Sequence, residues 1–405
     1  MNRGENSNSI PIDLIPDILS RLPAKSIARF RCVSKLWGSL LRKPHFTDLF
    51  LTRSSARPRL LIGVKQADGV WFIFSSPQPQ NPYEKSSLVV AADFHTKISF
   101  DLCSYDSFRY ASGLLYLHSI KISKEDKDAR HMICNPSTGQ YAILPEPTYK
   151  RDGGLLGFDP IGKQFKVLDM SNGHHILTLG TEKMRWRTIQ YPSICSHRPL
   201  GKGVCINGVM YYIGYSEGFE DYRLVCFDVR SEKFKLRYLT YGCSIKLINY
   251  KGKLGMISMK YESGFPLKLH FWVLENADKH EWSTYTYTLR TENRVLKDGD
   301  YISVVGVTAS GEIVLMKDNA RKPFYVFYFN PEKNTLLSVE IQGVVRHEGE
   351  EWFDDHKVYA FVDHVQDLKF DLMKTTYAAS RAVHNTSSKE DHQVRTIAHQ
   401  QQDRS

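Results

Sequence analysis

The spacing of apolar positions changes once along this chain. From Ile10 to Leu51 the stretch IPIDLIPDILSRLPAKSIARFRCVSKLWGSLLRKPHFTDLFL repeats its apolar residues at helical intervals. Leu14, Ile15, Ile18, Leu19 and Leu22 read as one apolar face of a short helix, with Asp13 as its N-cap and Pro16 in the first turn, where a missing N–H costs little. Leu22-Pro23 stops that helix, because a residue before proline is pushed out of the α region. A second short helix is expected to start near Lys25-Ser26. A third is marked by Phe30, Val33, Trp37, Leu40 and Leu41, with Pro44 as its end. About 40 residues are too few to bury a comfortable core alone, so part of this apolar surface is expected to meet a partner chain.

Beyond residue 60 the texture becomes short alternating strands separated by turns. Leu60–Val64 and Val70–Phe74 flank Ala67-Asp68-Gly69, an x-Asp-Gly hairpin signal. Similar glycine turns precede further strands at Gly113, Gly162, Gly208, Gly252 and Gly311, with separations of 44, 49, 46, 44 and 59 residues counted from Gly69. A second motif, a strand followed by a polar turn and another strand, follows most of them. Asn135-Pro136-Ser137-Thr138-Gly139, Asp228-Val229-Arg230-Ser231-Glu232 and Asn330-Pro331-Glu332-Lys333-Asn334 are examples, and the stretches Val273–Trp282 and Leu179–Trp186 are related. Two hairpins in a period of about 45–50 residues make a four-stranded unit with the spacing of a propeller blade. The expected fold is therefore a small all-helical domain followed by an all-β, propeller-like domain of about six four-stranded units over residues 60–372. A two-sheet β-sandwich with hairpins of chance regularity is the alternative. The repeat lacks the paired glycines of kelch and the Trp-Asp of WD40, which leaves its propeller family open.

Composition refines this picture. The chain has 405 residues, 42% of them apolar, enough for one small and one large domain. No run approaches 18 apolar residues and the N-terminal stretch lacks a signal-peptide core, so an intracellular protein of cytoplasm or nucleus, without membrane association, is expected. Seven scattered cysteines with no C-x-x-C pair suggest reduced thiols. The net charge of +10 is uneven: residues 1–60 hold eleven Lys and Arg against four Asp and Glu, a net +7. The aromatic residues there lie on the apolar stripes rather than among the basic positions, which favours an acidic protein partner over nucleic acid.

The ordered residues Ile10-Pro11, Ile18-Leu19, Arg21-Leu22-Pro23, Lys25-Ser26-Ile27, Arg29-Phe30-Arg31, Val33-Ser34-Lys35, Trp37 and Pro44-x-Phe46 resemble an F-box. Only Ile10 departs from the family pattern, which starts with Leu-Pro. Followed by Asn-Pro-x-Thr-Gly and Phe-Asp turns, the chain resembles the large plant group that carries a C-terminal F-box-associated interaction domain. The resemblance implies docking onto a Skp-family adaptor and, through it, a cullin–RING ubiquitin ligase of the SCF (Skp–cullin–F-box) type. It places adaptor docking, or the shape of the docking face, on Pro11, Leu14, Ile18, Leu22, Pro23 and Trp37. It implies no cofactor, no metal and no catalytic residue.

Two motifs invite chemistry and fail on context. Gly214-Tyr215-Ser216-Glu217-Gly218 matches G-x-S-x-G, yet the nucleophile elbow needs a helix next, and a strand-like Tyr222–Phe227 follows. Gly157–Gln164 nearly matches a P-loop, but Gln164 stands where a hydroxyl must hold Mg²⁺ and a strand follows. The histidines lack metal spacing; His174-His175 are adjacent.

The resulting division is a disordered N-terminus (1–8), F-box (9–52), flexible linker RSSARPR (53–59), β-domain (60–372) and a disordered polar tail (373–405). The function implied is substrate reception for an SCF-type ligase, with an unknown protein target on the β-domain. The alternatives are a propeller-fold hydrolase and a basic nucleic-acid-binding regulator.

Overall fold

The computed structural model describes residues 11, 13–65, 69–79, 87–102, 107–121, 129–146, 154–170, 173–192, 198–216, 221–239, 245–260, 267–277, 279–289, 302–317, 323–344 and 358–369. The expected disordered ends at 1–8 and 373–405 lie outside them.

Four helices open the chain: α1 (Leu14–Leu19), α2 (Ala24–Arg31), α3 (Lys35–Leu40) and α4 (Pro44–Ser55). Pro23 is extended (φ −60°, ψ 151°) at the start of α2, which separates the first two helices as the sequence requires. The expected third helix is two elements. Phe30 belongs to α2, Val33 to the turn after it, and Ser34 starts α3 by accepting a hydrogen bond from Trp37 N (3.2 Å). Pro44 does not end the helical region; it occupies the first turn of α4, where proline is also favoured. Asp13 is helical itself and makes no capping bond, contrary to expectation. Leu19, Ala24, Ile27, Leu41, Phe46 and Phe50 form the core of this unit, completed by Leu368 from the far end of the chain.

The remainder is a six-bladed propeller. Blade 1 is closed by the C-terminal strand Val358–His364, followed outward by Arg59–Lys65, Val70–Pro77 and Asp93–Ser99. Blade 2 starts at Phe108–Ala111, blade 3 at Gly154–Asp159, blade 4 at Arg198–Ile206, blade 5 at Ile245–Tyr250 and blade 6 at Ile302–Val307. Each then runs antiparallel from the inside out. Blade 6 gains a fifth, parallel strand, Ser87–Ala91, donated by blade 1. Six apolar clusters hold the ring, one at each seam. Leu60, Ile62 and Phe74 of blade 1 pack with Val314, Val326 and Val339 of blade 6, so the ring is closed.

Turn chemistry explains why the glycine period is visible. Asn207-Gly208 (φ 49° and 83°) and Lys251-Gly252 (φ 50° and 83°) take the doubly left-handed turn that matches strand twist, and glycine fits its second position best. Three markers behave differently, and at Gly311 (φ 101°) the residue before the glycine is not left-handed. Gly69 (φ 72°) lies between the second and third strands of blade 1, because that blade borrows its first strand from the C-terminus. In blade 3 Lys163 (φ 50°), not Gly162, takes the left-handed position. The polar turns of the second motif join third and fourth strands. Asn135, Asp228, Asn276 and Asn330 each accept backbone N–H bonds from two or three residues on, which fixes the reversal.

Candidate functional site

The apolar face read along α1 is split. Leu19 is buried, and Ile15 and Leu22 pack against the helical core. Leu14 and Ile18, one turn apart, stay 52% and 44% exposed, and Pro11 is exposed beside them. Pro23 is exposed at the head of α2. Trp37 is turned inward and stacks on Phe30 (centroids 5.5 Å, 24°). Of the six residues singled out, Pro11, Leu14, Ile18 and Pro23 therefore offer surface, whereas Leu22 and Trp37 shape the unit from within. Sequence reading missed two others. Val33 and Leu36 are 67% and 64% exposed around the turn into α3. Their flanking polar residues, Cys32, Ser34 and Lys35, were the available signal.

The helical unit is bolted to the propeller. The closing strand continues as Val365–Lys369, a strap that touches three partners. Gln366 accepts a hydrogen bond through Oε1 from Ala24 N (3.2 Å) and donates its own N–H to Ser54 Oγ (2.7 Å). The first bond satisfies an N–H at the head of α2 that no helix carbonyl reaches. Lys369 Nζ donates to Asp48 Oδ1 (2.6 Å) and holds that carboxyl below its usual range. On the propeller side Asn135 Nδ2 donates to the carbonyls of Asp367 (2.9 Å) and Lys369 (3.0 Å). His364, where the strap begins, is within hydrogen-bond reach of Tyr110 OH (3.1 Å) and Ser137 Oγ (3.3 Å). Burial, with His95 and Arg59 nearby, pushes its imidazole down to about 3. Burial, with Arg59 and Lys25 nearby, brings His95 down to about 4.

The stretch expected to be a flexible linker, 53–59, is mostly regular. Arg53–Ser55 finish α4, and Arg53 donates to the Asp17 carboxylate and to Ser20 Oγ (2.7 Å). Arg59 already belongs to the first strand and donates to Ser75 Oγ (2.7 Å) and Asp93 Oδ2 (2.6 Å). Only residues 56–58 intervene.

The motifs that invited chemistry sit in hairpins. Val209–Ser216 returns antiparallel as Asp221–Asp228, with Ser216 opposite Asp221, and no helix follows among the described residues; Glu217 and Gly218 lie outside them. Gly154–Asp159 returns as Gln164–Asp169. His174 stacks on Tyr191 (4.0 Å, 4°) and lies 3.3 Å from Tyr212 OH inside the seam of blades 3 and 4. Burial pushes the Cys134 thiol up to about 12 and Cys226 to about 11, the reverse of what a thiolate nucleophile needs. Among the described residues no group of three His, Cys, Asp or Glu is arranged for a metal. No helix among them is long and apolar enough to cross a membrane.

The F-box domain family model matches residues 8–49, and the F-box associated beta propeller domain model matches residues 59–365. The chain belongs to the F-box proteins that carry an associated β-propeller. Among relatives, the Arabidopsis thaliana F-box protein At1g67130 is 52% identical over 433 residues, covering 100% of this chain and 92% of its own. The Arabidopsis thaliana F-box protein At1g31080 is 53% identical over 414 residues, covering 100% and 95%. Of solved structures, the β-propeller domain of the Trilobed protease from Pyrococcus furiosus aligns at 13% identity over 66% of this chain and 79% of that one, with a TM-score of 0.37. In this F-box protein the two family units meet through the strap, so that the exposed apolar residues of α1 and of the α2–α3 turn belong to a helical unit held by its propeller.

Proposed function

We propose that the protein is the substrate-recognition subunit of an SCF-type ubiquitin ligase. Its F-box docks on a Skp-family adaptor, and through it on a cullin–RING ligase, while the propeller takes the protein target. The observation that carries this reading is the exposure of Pro11, Leu14, Ile18, Val33 and Leu36 on a helical unit whose own core is already complete. Pro23 frames that surface, and Leu22 and Trp37 hold its shape. The role is positioning: a target lysine is brought close to a ubiquitin-loaded conjugating enzyme at high effective concentration. A propeller with six packed seams suits this work, because target and adaptor are then joined by a stiff body rather than by a loose tether. The chain supplies no catalytic group in this reading and needs no cofactor. Its place is inside the cell, in cytoplasm or nucleus.

Proximity labelling in cells tests the whole assignment. Proteins near the full-length chain should accumulate when the proteasome is inhibited. Proteins near a Leu14→Asp/Ile18→Asp variant, cut off from the ligase, should be the same set and already abundant without inhibition. Neighbours whose abundance ignores both the inhibitor and the variant would refute a role in degradation.

A further inference from the structure

We propose that the outer strand of blade 5, Glu281–Leu289, is the edge on which an extended, carboxylate-bearing segment of the target adds as a further strand; this rests on the target-receptor reading above. The strand, EWSTYTYTL, is nine residues long, alternates threonine with tyrosine and carries one charge, Glu281 at its start. Thr284, Tyr285 and Thr286 are exposed, and its pairing to the strand inside it is unbroken from Trp282 to Leu289.

The other five blades manage their outer edges. Blade 6 has Thr335–Gln342 covered by the parallel strand Ser87–Ala91. Blade 4 ends in Lys233–Tyr238, which carries Lys233, Lys235 and Arg237. Blade 1 ends in Asp93–Ser99, with Asp93, Lys97 and a register shift against its neighbour. Blades 2 and 3 end in strands of only four and three residues. Cover, charge, irregularity and shortness are the means by which proteins keep a sheet edge from pairing. Blade 5 uses none of them along Trp282–Leu289, so the outward backbone groups there can receive another chain. The covered edge of blade 6 demonstrates that a blade of this ring takes a fifth strand.

The neighbouring blade selects the charge of the occupant. Trp282 packs into the seam with blade 4 and Tyr287 into the seam with blade 6, so Thr284, Thr286 and Thr288 share the blade 4 side. Lys268, opposite Thr288, lies on that side too. From blade 4, Arg237 Nη2 reaches across to the Ala277 carbonyl (3.3 Å). Phe234 and Leu236 turn the other way, toward blade 3, which leaves Lys233 and Lys235 on the side of Arg237. Nearby carboxylates are engaged: Asp228 accepts from Ser231, and Glu275 pairs with Lys253. An incoming strand thus meets a neutral edge beside cations, which Asp or Glu side chains complement. A second copy of the chain does not fit. Two copies joined antiparallel through this edge are related by a twofold axis normal to the shared sheet, so both blade 4 edges stand on the same face with like charges opposed.

The test uses the full chain and a synthetic peptide of about nine residues that alternates Val and Glu. This peptide should bind and slow hydrogen exchange in Glu281–Leu289 while the other outer strands are unchanged. The Val/Lys peptide should bind about tenfold more weakly or less, and a fully N-methylated Val/Glu peptide should not bind, since it has no backbone donors. Lys233→Glu/Lys235→Glu should reverse the preference between the two charged peptides and melt normally, because both side chains are exposed. No binding, protection of a different edge, or an unchanged preference overturns the proposal. So does a dimer of the free chain that protects Glu281–Leu289, which would make a second copy the occupant. In cells the double Glu variant should keep the adaptor and lose the proteasome-sensitive neighbours of wild type. If it keeps all of them, this proposal alone falls. If wild type has none, the receptor reading falls and takes this proposal with it.

Discussion

Glu232 shows how single residues weld neighbouring blades. It accepts from Lys166 Nζ and from Arg187, both at 2.8 Å, but the two pairs are not equal. The Lys166 side chain is 8% exposed and that of Arg187 is 47% exposed. Breaking a fully buried pair by removing one partner costs about 3–5 kcal/mol, and Glu232, itself one-fifth exposed, merits a discounted figure nearer 2 kcal/mol. Glu232→Ala should therefore lower the melting temperature distinctly, whereas Arg187→Ala should stay within about 0.5 kcal/mol of wild type by chemical denaturation. Similar losses from both would show that the burial difference is irrelevant. The histidines set the acid limit. His364 and His95 titrate near 3 and 4 in the folded chain against 6.5 when unfolded. The unfolded state then binds more protons between those values, so stability is fully present above about 6.5 and is lost as the pH falls toward 4 and below. Asp159, held down to about 2 chiefly by its Arg230 hydrogen bond, adds its loss only below the ordinary carboxylate range near 3.8. A flat melting temperature from pH 6.5 to 4.5 would contradict this order. At this scale the sequence was legible where backbone geometry is written in residue type, as at Asn207-Gly208 or Asn135-Pro136. It was silent on Glu232, whose partners come from another blade.

Among the elements, α1 and the strap mark the limits of periodicity. A helical stripe says which residues lie on one side, not how much of that side the chain itself will cover; hence Leu14 and Leu19 looked alike and differ in burial. The α2–α3 break was legible only in hindsight of Ser34, a capping residue inside an apolar spacing that otherwise reads as continuous helix. The strap carries no local signal at all, since Ala24 and Gln366 are 342 residues apart. Its consequence is measurable. Leu368→Ala should cost roughly 2–3 kcal/mol locally, toward the lower end for a truncated core residue, because Leu368 is 6% exposed at the edge of the helical cluster. Hydrogen exchange should then speed up in α1–α4 while the blades keep their protection. Faster exchange spread evenly through the blades would mean that the strap serves the ring rather than the F-box.

For the whole molecule, closure is the governing fact. Val358–His364 supplies the innermost strand of blade 1 and packs into the seams on both sides through Val358, Ala360 and Val362 toward blade 6 and Tyr359 and Phe361 toward blade 2. A chain ending before Val358 should lose its single cooperative melting transition, while one ending after His364 should keep the propeller and loosen only the F-box. Equal behaviour of the two truncations would contradict the closure. The repeat announced the six blades, but the borrowed strand was hidden, because pairing between the two ends of a domain leaves no trace in local spacing. The family was legible earlier than the shape: the ordered match from Ile10 to Phe46 carried it, whereas the fixed seat of the F-box on the propeller emerged only in three dimensions. The decisive measurement is equilibrium binding of the full chain to a purified Skp-family adaptor. Wild type should form a one-to-one complex, and Leu14→Asp/Ile18→Asp should weaken it by about a hundredfold or more with an unchanged melting curve, since two apolar side chains contribute about 1.5–3 kcal/mol each when covered. Equal affinity of the two chains, or no complex with wild type, would contradict adaptor docking through this face.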